Sequence, residues 1–209
     1  MALATGGHAG GPPGSAARRV RHALSLVAAN AANILTVARL CCALPIVLLV
    51  RAGDYHQAAL LFLLAAASDG LDGYIAKRFN AVTTFGTVLD PVADKLLMDS
   101  LFLTLAFEGH LPPWVAVLVI ARDLLIVAGT LALRYLAGRF RVEPLFLGKV
   151  STFMQIVLGG AVLLQLSVLP GLKGWIQPLV VVTALTVVAS AAAYVQSAGR
   201  IWVLARVPR

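Results

Sequence analysis

Apolar residues dominate six stretches of the chain, at 31 to 50, 55 to 77, 88 to 108, 113 to 134, 147 to 167 and 175 to 197. About 20 mostly apolar residues in a helix cross the hydrocarbon of a bilayer. The pattern therefore predicts an all-α integral membrane protein with six transmembrane helices. The interruptions carry turn chemistry: Gly53 and Asp54, the polar run 77 to 84, His110 with Pro112 and Pro113, the segment 138 to 144, and Pro170 to Lys173. Ahead of the first span, Arg18, Arg19 and Arg21 with Leu24, Leu26 and Val27 predict an amphipathic juxtamembrane helix over 17 to 30, lying on anionic lipid. Residues 1 to 16, rich in Gly, Ala and Pro and without an acid, read as a disordered tail, and 201 to 209 as a basic C-terminal tail. The six-helix domain then occupies 31 to 200.

Composition excludes a soluble domain. The 209 residues are 60% hydrophobic and only 12% charged, against about 45 to 50% and about 25% in soluble proteins. The adjacent Cys41 and Cys42 lie inside an apolar run, without metal or disulfide spacing, and read as packing residues.

A net charge of +8 raises the question of nucleic acid, but the basic residues follow the membrane instead. Arg18, Arg19, Arg21, Lys77, Arg78, Arg134, Arg139, Arg141, Lys149, Arg200, Arg206 and Arg209 fall on the side of the N terminus, while the opposite loops hold Arg51 and Lys173. Basic loops stay cytoplasmic, so both termini and the loop after the second span are expected in the cytoplasm. If the organism is bacterial, the membrane is the cell inner membrane. No nucleic acid partner is expected.

Against this apolar background, the stretch 68 to 95 holds four of the nine acids: Asp69, Asp72, Asp90 and Asp94. Asp69 and Asp72 are three apart at the end of the second span, and Asp90 and Asp94 four apart at the start of the third, spacings that put each pair on one helical face. Helices joined by a short loop are antiparallel neighbours, so the pairs are expected to converge near the cytoplasmic surface. Each unneutralised carboxylate costs about 2.5 to 3.5 kcal/mol at a helix centre in a bilayer, and less toward the interface. Positive charge must sit among them. Lys77, Arg78 and Lys95 could form structural ion pairs, but three long-stemmed cations do not explain why all four acids are short-armed Asp. Divalent cations fit better, since Mg²⁺ prefers carboxylate oxygens and keeps waters or substrate phosphates as further ligands. The quartet thus predicts a phosphate-bearing substrate held through metal at a membrane surface. Gly73, Ala76 and Gly86 are small enough to let a ligand approach the backbone.

Asp69-x-x-Asp72-Gly73-x-x-Ala76-Lys77, eight residues, then Gly86-x-x-x-Asp90-x-x-x-Asp94 resembles the signature of the CDP-alcohol phosphatidyltransferases, with seven of eight fixed positions matched and the spacing intact. Lys77 stands where the family has Arg; the charge is kept, but the planar fork that grips phosphate bidentately is lost. The segments NILTVAR at 33 to 39, ARD at 121 to 123 and GKVSTFMQ at 148 to 155 resemble the phosphatidylglycerophosphate synthase and CMP-forming cardiolipin synthase branches.

The resemblance implies an enzyme of glycerophospholipid biosynthesis that transfers phosphatidyl from CDP-diacylglycerol to an alcohol, releasing CMP. It implies two ions, Mg²⁺ or Mn²⁺, bound by Asp69, Asp72 and Asp90 with Asp94 contributing to the second, and Asp94 as general base. It implies a nucleotide site at Asp69, Gly73, Ala76, Lys77 and Gly86, a cytoplasm-facing active site and a homodimer. For the acceptor, Arg39, Lys95 and Arg122 are basic residues inside spans, where unpaired charge is expensive, so each is a pocket candidate; Asp123 adjoins Arg122 and could orient a guanidinium. Arg139, Arg141 and Lys149 cluster at the cytoplasmic mouth and could hold a phosphate or a lipid headgroup. Residues 72 to 95 read most like phosphatidylglycerophosphate synthases, which use glycerol 3-phosphate; Arg122-Asp123 and the stretch 189 to 200 pull toward cardiolipin synthase, which uses phosphatidylglycerol. Two other classes fit less well. A UbiA-type prenyltransferase usually has two separated Asp motifs, and a transporter with a carboxylate cation site predicts repeated halves, which the sequence does not show.

Overall fold

The computed structural model describes residues 41 to 79, 84 to 137 and 146 to 206, with side chains for 41 to 68, 95 to 131 and 146 to 200. The expected tail at 1 to 16 and juxtamembrane helix at 17 to 30 lie outside the described residues. Within them the chain is all-helical. The helices are α1 (Cys41–Arg51), α2 (Tyr55–Phe79), α3 (Thr84–Phe107), α4 (Pro113–Ala137), α5 (Phe146–Ser167) and α6 (Lys173–Arg206), with a 3₁₀ turn at Pro170–Leu172 before α6. Among the described residues, three windows are long and apolar enough to cross a membrane: Pro113–Leu131, Phe146–Ser167 and Pro170–Arg200.

The helices stop where the turn residues said they would. At the end of α1, Gly53 takes φ 78° and the amides of Gly53 and Asp54 donate back to Val50 and Leu49, a left-handed glycine cap. Gly109 repeats the device after α3 at φ 76°, with His110 and Leu111 both donating to the Leu105 carbonyl. Pro113 then opens α4, where its missing N–H is no loss. Most boundaries lie within three residues of expectation, and two differ by more. The third helix starts at Thr84 rather than 88, so Gly86 falls in its first turn, and the last continues to Arg206, through most of the stretch expected as a tail. The added turn of α3 is Thr-Phe-Gly-Thr, and the added turns of α6 carry Arg200 and Arg206 around an apolar Ile-Trp-Val-Leu run too short to read as a span of its own.

The turns after α1 and α3 meet at one end of the bundle. Tyr55 Oη lies 2.9 Å from His110 Nε2 with the rings edge to face, and Arg51 Nε is 3.8 Å from Glu108 Oε1. Exposed Phe107, Trp114 and Trp175 stand around the same end, as aromatic residues do at a bilayer interface. Leu44, Leu60, Leu64, Val117, Leu124, Leu131, Leu185 and Val188 are exposed along the helix flanks, a surface suited to lipid tails. Fold and composition agree on a membrane protein.

Helix α5 is central, packing on α2, α3 and α6, while α4 packs on α3 and α6. Its buried residues Ser151, Gln155, Leu158, Gly159, Val162 and Leu163 recur at helical spacing and form one face. Gly159 is where neighbours come closest: a Cβ built there would lie 3.0 Å from Leu101 Cδ2 of α3 and 3.6 Å from Phe62 Cζ of α2. Between α4 and α6, a Cβ on Gly129 would meet Tyr194 Cε1 at 2.8 Å and its hydroxyl oxygen at 2.9 Å, and that hydroxyl sits 2.9 Å from Thr130 Oγ1. Small residues at such crossings are how membrane helices approach.

Gly129→Ala is expected to cost about 1 to 3 kcal/mol, because the buried Tyr194 ring has to shift. Gly199→Ala, around which nothing lies within 4 Å, is expected to be neutral or stabilising by about 0.5 to 1 kcal/mol through helix propensity. Melting temperatures of the purified variants in one detergent check the order; equal values would refute the packing role of Gly129.

Candidate active site

Helix α2 runs away from the Tyr55–His110 end and α3 runs back toward it, so the two are antiparallel. Phe62 of α2 and Leu101 of α3 flank the same glycine of α5, which sets a common level. Asp69 lies seven residues beyond Phe62 and Asp94 seven residues before Leu101. At 1.5 Å per residue, both backbones stand about 10 Å from that level, on the side opposite the aromatic end. Asp72 and Asp90 follow at ten and eleven residues, about 15 to 17 Å from it. The backbone thus carries the four aspartates to matching depths on two antiparallel helices; their side chains lie outside the described ones. Gly73, Ala76 and Lys77 occupy the last turns of α2, and Gly86 the first turn of α3, again as backbone only. Arg39, Arg139 and Arg141 lie outside the described residues.

Beside the aspartates is a charged network whose side chains are described. Lys95, directly after Asp94, places Nζ 2.8 Å from Oδ1 of Asp123 in α4. Arg122 Nη1 donates to the same Asp123 oxygen at 2.5 Å, and its Nε and Nη2 donate to Ser190 Oγ of α6 at 3.2 and 2.7 Å. Arg122 is 7% exposed and Asp123 6%, so neither snorkels to the interface. Gly148, in the first turn of α5, lets the guanidinium come close: a Cβ there would lie 3.4 Å from Nη2. Lys149, beside it, is exposed. Removing one partner of such a buried pair leaves a bare charge, at about 3 to 5 kcal/mol.

The sequence reading had picked out Arg122, Asp123 and Lys95, and the structure brings all three together. Arg122 was expected as an acceptor ligand; three of its five N–H donors are already used within the protein. Ser190 was missed as its partner, because a serine in an Ala-rich span looks like any other small packing residue. Asp99 was missed as well. It lies one helical turn past Lys95, and its Oδ1 is buried without a hydrogen-bond partner among the described residues. An acid within a predicted span was the available signal. Below these groups Ser151 and Gln155 are buried on α5, with Gln155 Nε2 3.3 Å from Ser151 Oγ. Polar groups of α3, α4, α5 and α6 thus converge beside the aspartate-bearing turns.

The donor chemistry of the quartet suits a hard divalent ion: four short carboxylates, at two depths on antiparallel helices that both pack on α5, with no soft ligand among them.

Comparison with known proteins identifies the family. The family model described as CDP-alcohol phosphatidyltransferase matches residues 29 to 195. The chain is 40% identical over 147 residues to a Mycobacterium tuberculosis protein named "Probable phosphatidylglycerophosphate synthase", covering 66% of this chain and 68% of that one. It is 38% identical over 108 residues to the CDP-diacylglycerol--glycerol-3-phosphate 3-phosphatidyltransferase of Bacillus subtilis, covering 51% of this chain and 54% of that one. It is also 32% identical over 145 residues to the human cardiolipin synthase (CMP-forming), covering 62% and 48%. The match spans the helices that carry the aspartates and the network beside them, and the chain belongs to the CDP-alcohol phosphatidyltransferase family.

Proposed function

We propose that the protein transfers the phosphatidyl group of CDP-diacylglycerol to glycerol 3-phosphate and releases CMP, as a phosphatidylglycerophosphate synthase. The observation that carries this reading is the aspartate pattern 69 to 94, in a chain whose relatives are named for that reaction. The acceptor hydroxyl attacks the phosphorus that bears diacylglycerol, the bond from that phosphorus to the CMP oxygen breaks, and Asp94 takes the hydroxyl proton as general base. Two divalent ions, Mg²⁺ or Mn²⁺, held by Asp69, Asp72 and Asp90 with a share from Asp94, would neutralise the pyrophosphate and the leaving CMP. Gly73, Ala76 and Gly86 leave room for the nucleotide along the helix backbones, and Lys77 keeps a cation beside its phosphates. Arg39, Arg139, Arg141 and Lys149 supply charge for the acceptor's phosphate at the cytoplasmic mouth, and Arg122 reaches it with the donors that Asp123 and Ser190 leave free.

In this reading the chain spans the membrane six times within 31 to 200, keeps its termini and active site in the cytoplasm and works as a homodimer. The basic-residue asymmetry supports the orientation. A second reading, a CMP-forming cardiolipin synthase using phosphatidylglycerol, is favoured by Arg122-Asp123 and by the relatives that carry that name.

Purified protein given labelled CDP-diacylglycerol and Mg²⁺ or Mn²⁺ is expected to release CMP with glycerol 3-phosphate. CMP release with phosphatidylglycerol alone would shift the assignment to the second reading, and none with any alcohol would refute transferase activity.

Asp94→Asn is expected to lower kcat by about a thousandfold while retaining CDP-lipid binding. Asp69→Asn is expected to raise the metal concentration needed for half-maximal rate. Near-normal turnover in Asp94→Asn would remove the base assignment.

A further inference from the structure

Lys95 has two acids within reach of its stem. Asp99 lies four residues on along the same helix face, where an ion pair forms at least cost in order, and Asp123 lies across the gap to α4. Its ammonium goes to Asp123, at 2.8 Å. Asp123 is in turn held by Arg122, and Arg122 by Ser190 of α6, with the Gly148 backbone of α5 against the guanidinium. An unbroken line of short contacts therefore ties α3 to α4 and α6 at the residue next to Asp94. We propose that Asp123, held by Arg122 and Ser190, is a positioning residue that clamps Lys95 and so sets the rotation of α3 at which Asp94 meets the acceptor hydroxyl. The proposal deepens the reading of Asp94 as general base and rests on it.

Helix geometry makes such a clamp effective. Neighbouring residues are separated by about 100° around the axis, so fixing the bearing of Lys95 fixes that of Asp94. With side chains reaching about 5 to 6 Å from the axis, a 20° roll of α3 would move the Asp94 carboxylate by about 2 Å. Misplacement by about 1 Å already costs on the order of a hundredfold in rate. Stability alone does not account for the arrangement, because a buried ion pair about breaks even against a well-packed apolar replacement. The directional contacts of the Arg122 guanidinium with Asp123 and Ser190 hold the carboxylate in place, and the bond from Lys95 to it biases α3 toward one roll.

The test is steady-state kinetics on the full-length protein, with CDP-diacylglycerol, Mg²⁺ and whichever acceptor supports CMP release, each rate referred to the monodisperse folded fraction. Lys95→Met and Asp123→Asn are each expected to lower kcat about tenfold or more, with KM for both substrates within about threefold. The double variant is expected to be no slower than the slower single one, since both remove the same contact. Asp123→Glu should recover part of kcat and Ser190→Thr most of it, with Ser190→Ala between. Should the charge variants fail to fold, Ser190→Ala against Ser190→Thr poses the same question with every charge in place, and equal kcat values in that pair would overturn the clamp. So would effects of Lys95→Met and Asp123→Asn that multiply in the double variant, or a Lys95→Met that raises acceptor KM tenfold at unchanged kcat, which would make Lys95 a ligand. Asp94→Asn separates the two readings: retained turnover there removes the base, whereas an inactive Asp94→Asn alongside multiplying effects removes only the clamp.

Discussion

A charged group carried below a membrane surface has to find its partner inside the protein, because lipid offers none. This constraint shapes the half of the molecule that bears the aspartates. Lys95 and Arg122 share one carboxylate, Asp123, and Arg122 turns its remaining edge to Ser190. The four residues come from three helices, so the pairing is also a statement about how those helices are rotated. The guanidinium fork of Arg122 is the rigid part of that line, fixing α4 against α6, while the longer Lys95 stem ties α3 to the same carboxylate.

The opposite half is held by different means. Glycine caps end α1 and α3, their turns meet through Tyr55 and His110, and exposed aromatic residues ring that end. Between the halves, Gly159 lets α2 and α3 both reach α5, and Gly129 admits the Tyr194 ring between α4 and α6. Close approach at Gly159 is what brings Phe62 and Leu101 to one level, and from there helical rise alone carries Asp69 and Asp94 to one depth. Packing in the apolar middle thereby governs the register of the chemistry above it, through about two turns of helix on each side.

Much of this was legible along the chain. Helix positions followed from runs of apolar residues broken by Gly53, His110, Pro113 and Pro170, because the bilayer demands long apolar segments and turns demand special backbone residues. The aspartate quartet stood out because acids are costly in such a chain, and its resemblance to a family signature pointed to the family that the comparisons then matched. The ends of α3 and α6 were less legible, since Thr84 and Gly86 carry turn chemistry and the apolar run 201 to 204 is too short to read as a span.

The sequence by itself determined the membrane class, the helical segments and the chemistry to expect from residues 69 to 94, because each rests on local spacing and on the local cost of charge. Only the tertiary structure decided that Lys95 pairs with Asp123 rather than with Asp99, and that Ser190 receives Arg122. It also decided that Gly159, and not some other small residue of α5, is the point both α2 and α3 approach. The physical reason is that cross-helix partners 28 to 68 residues apart depend on how helices roll and cross, which no local pattern in the chain records.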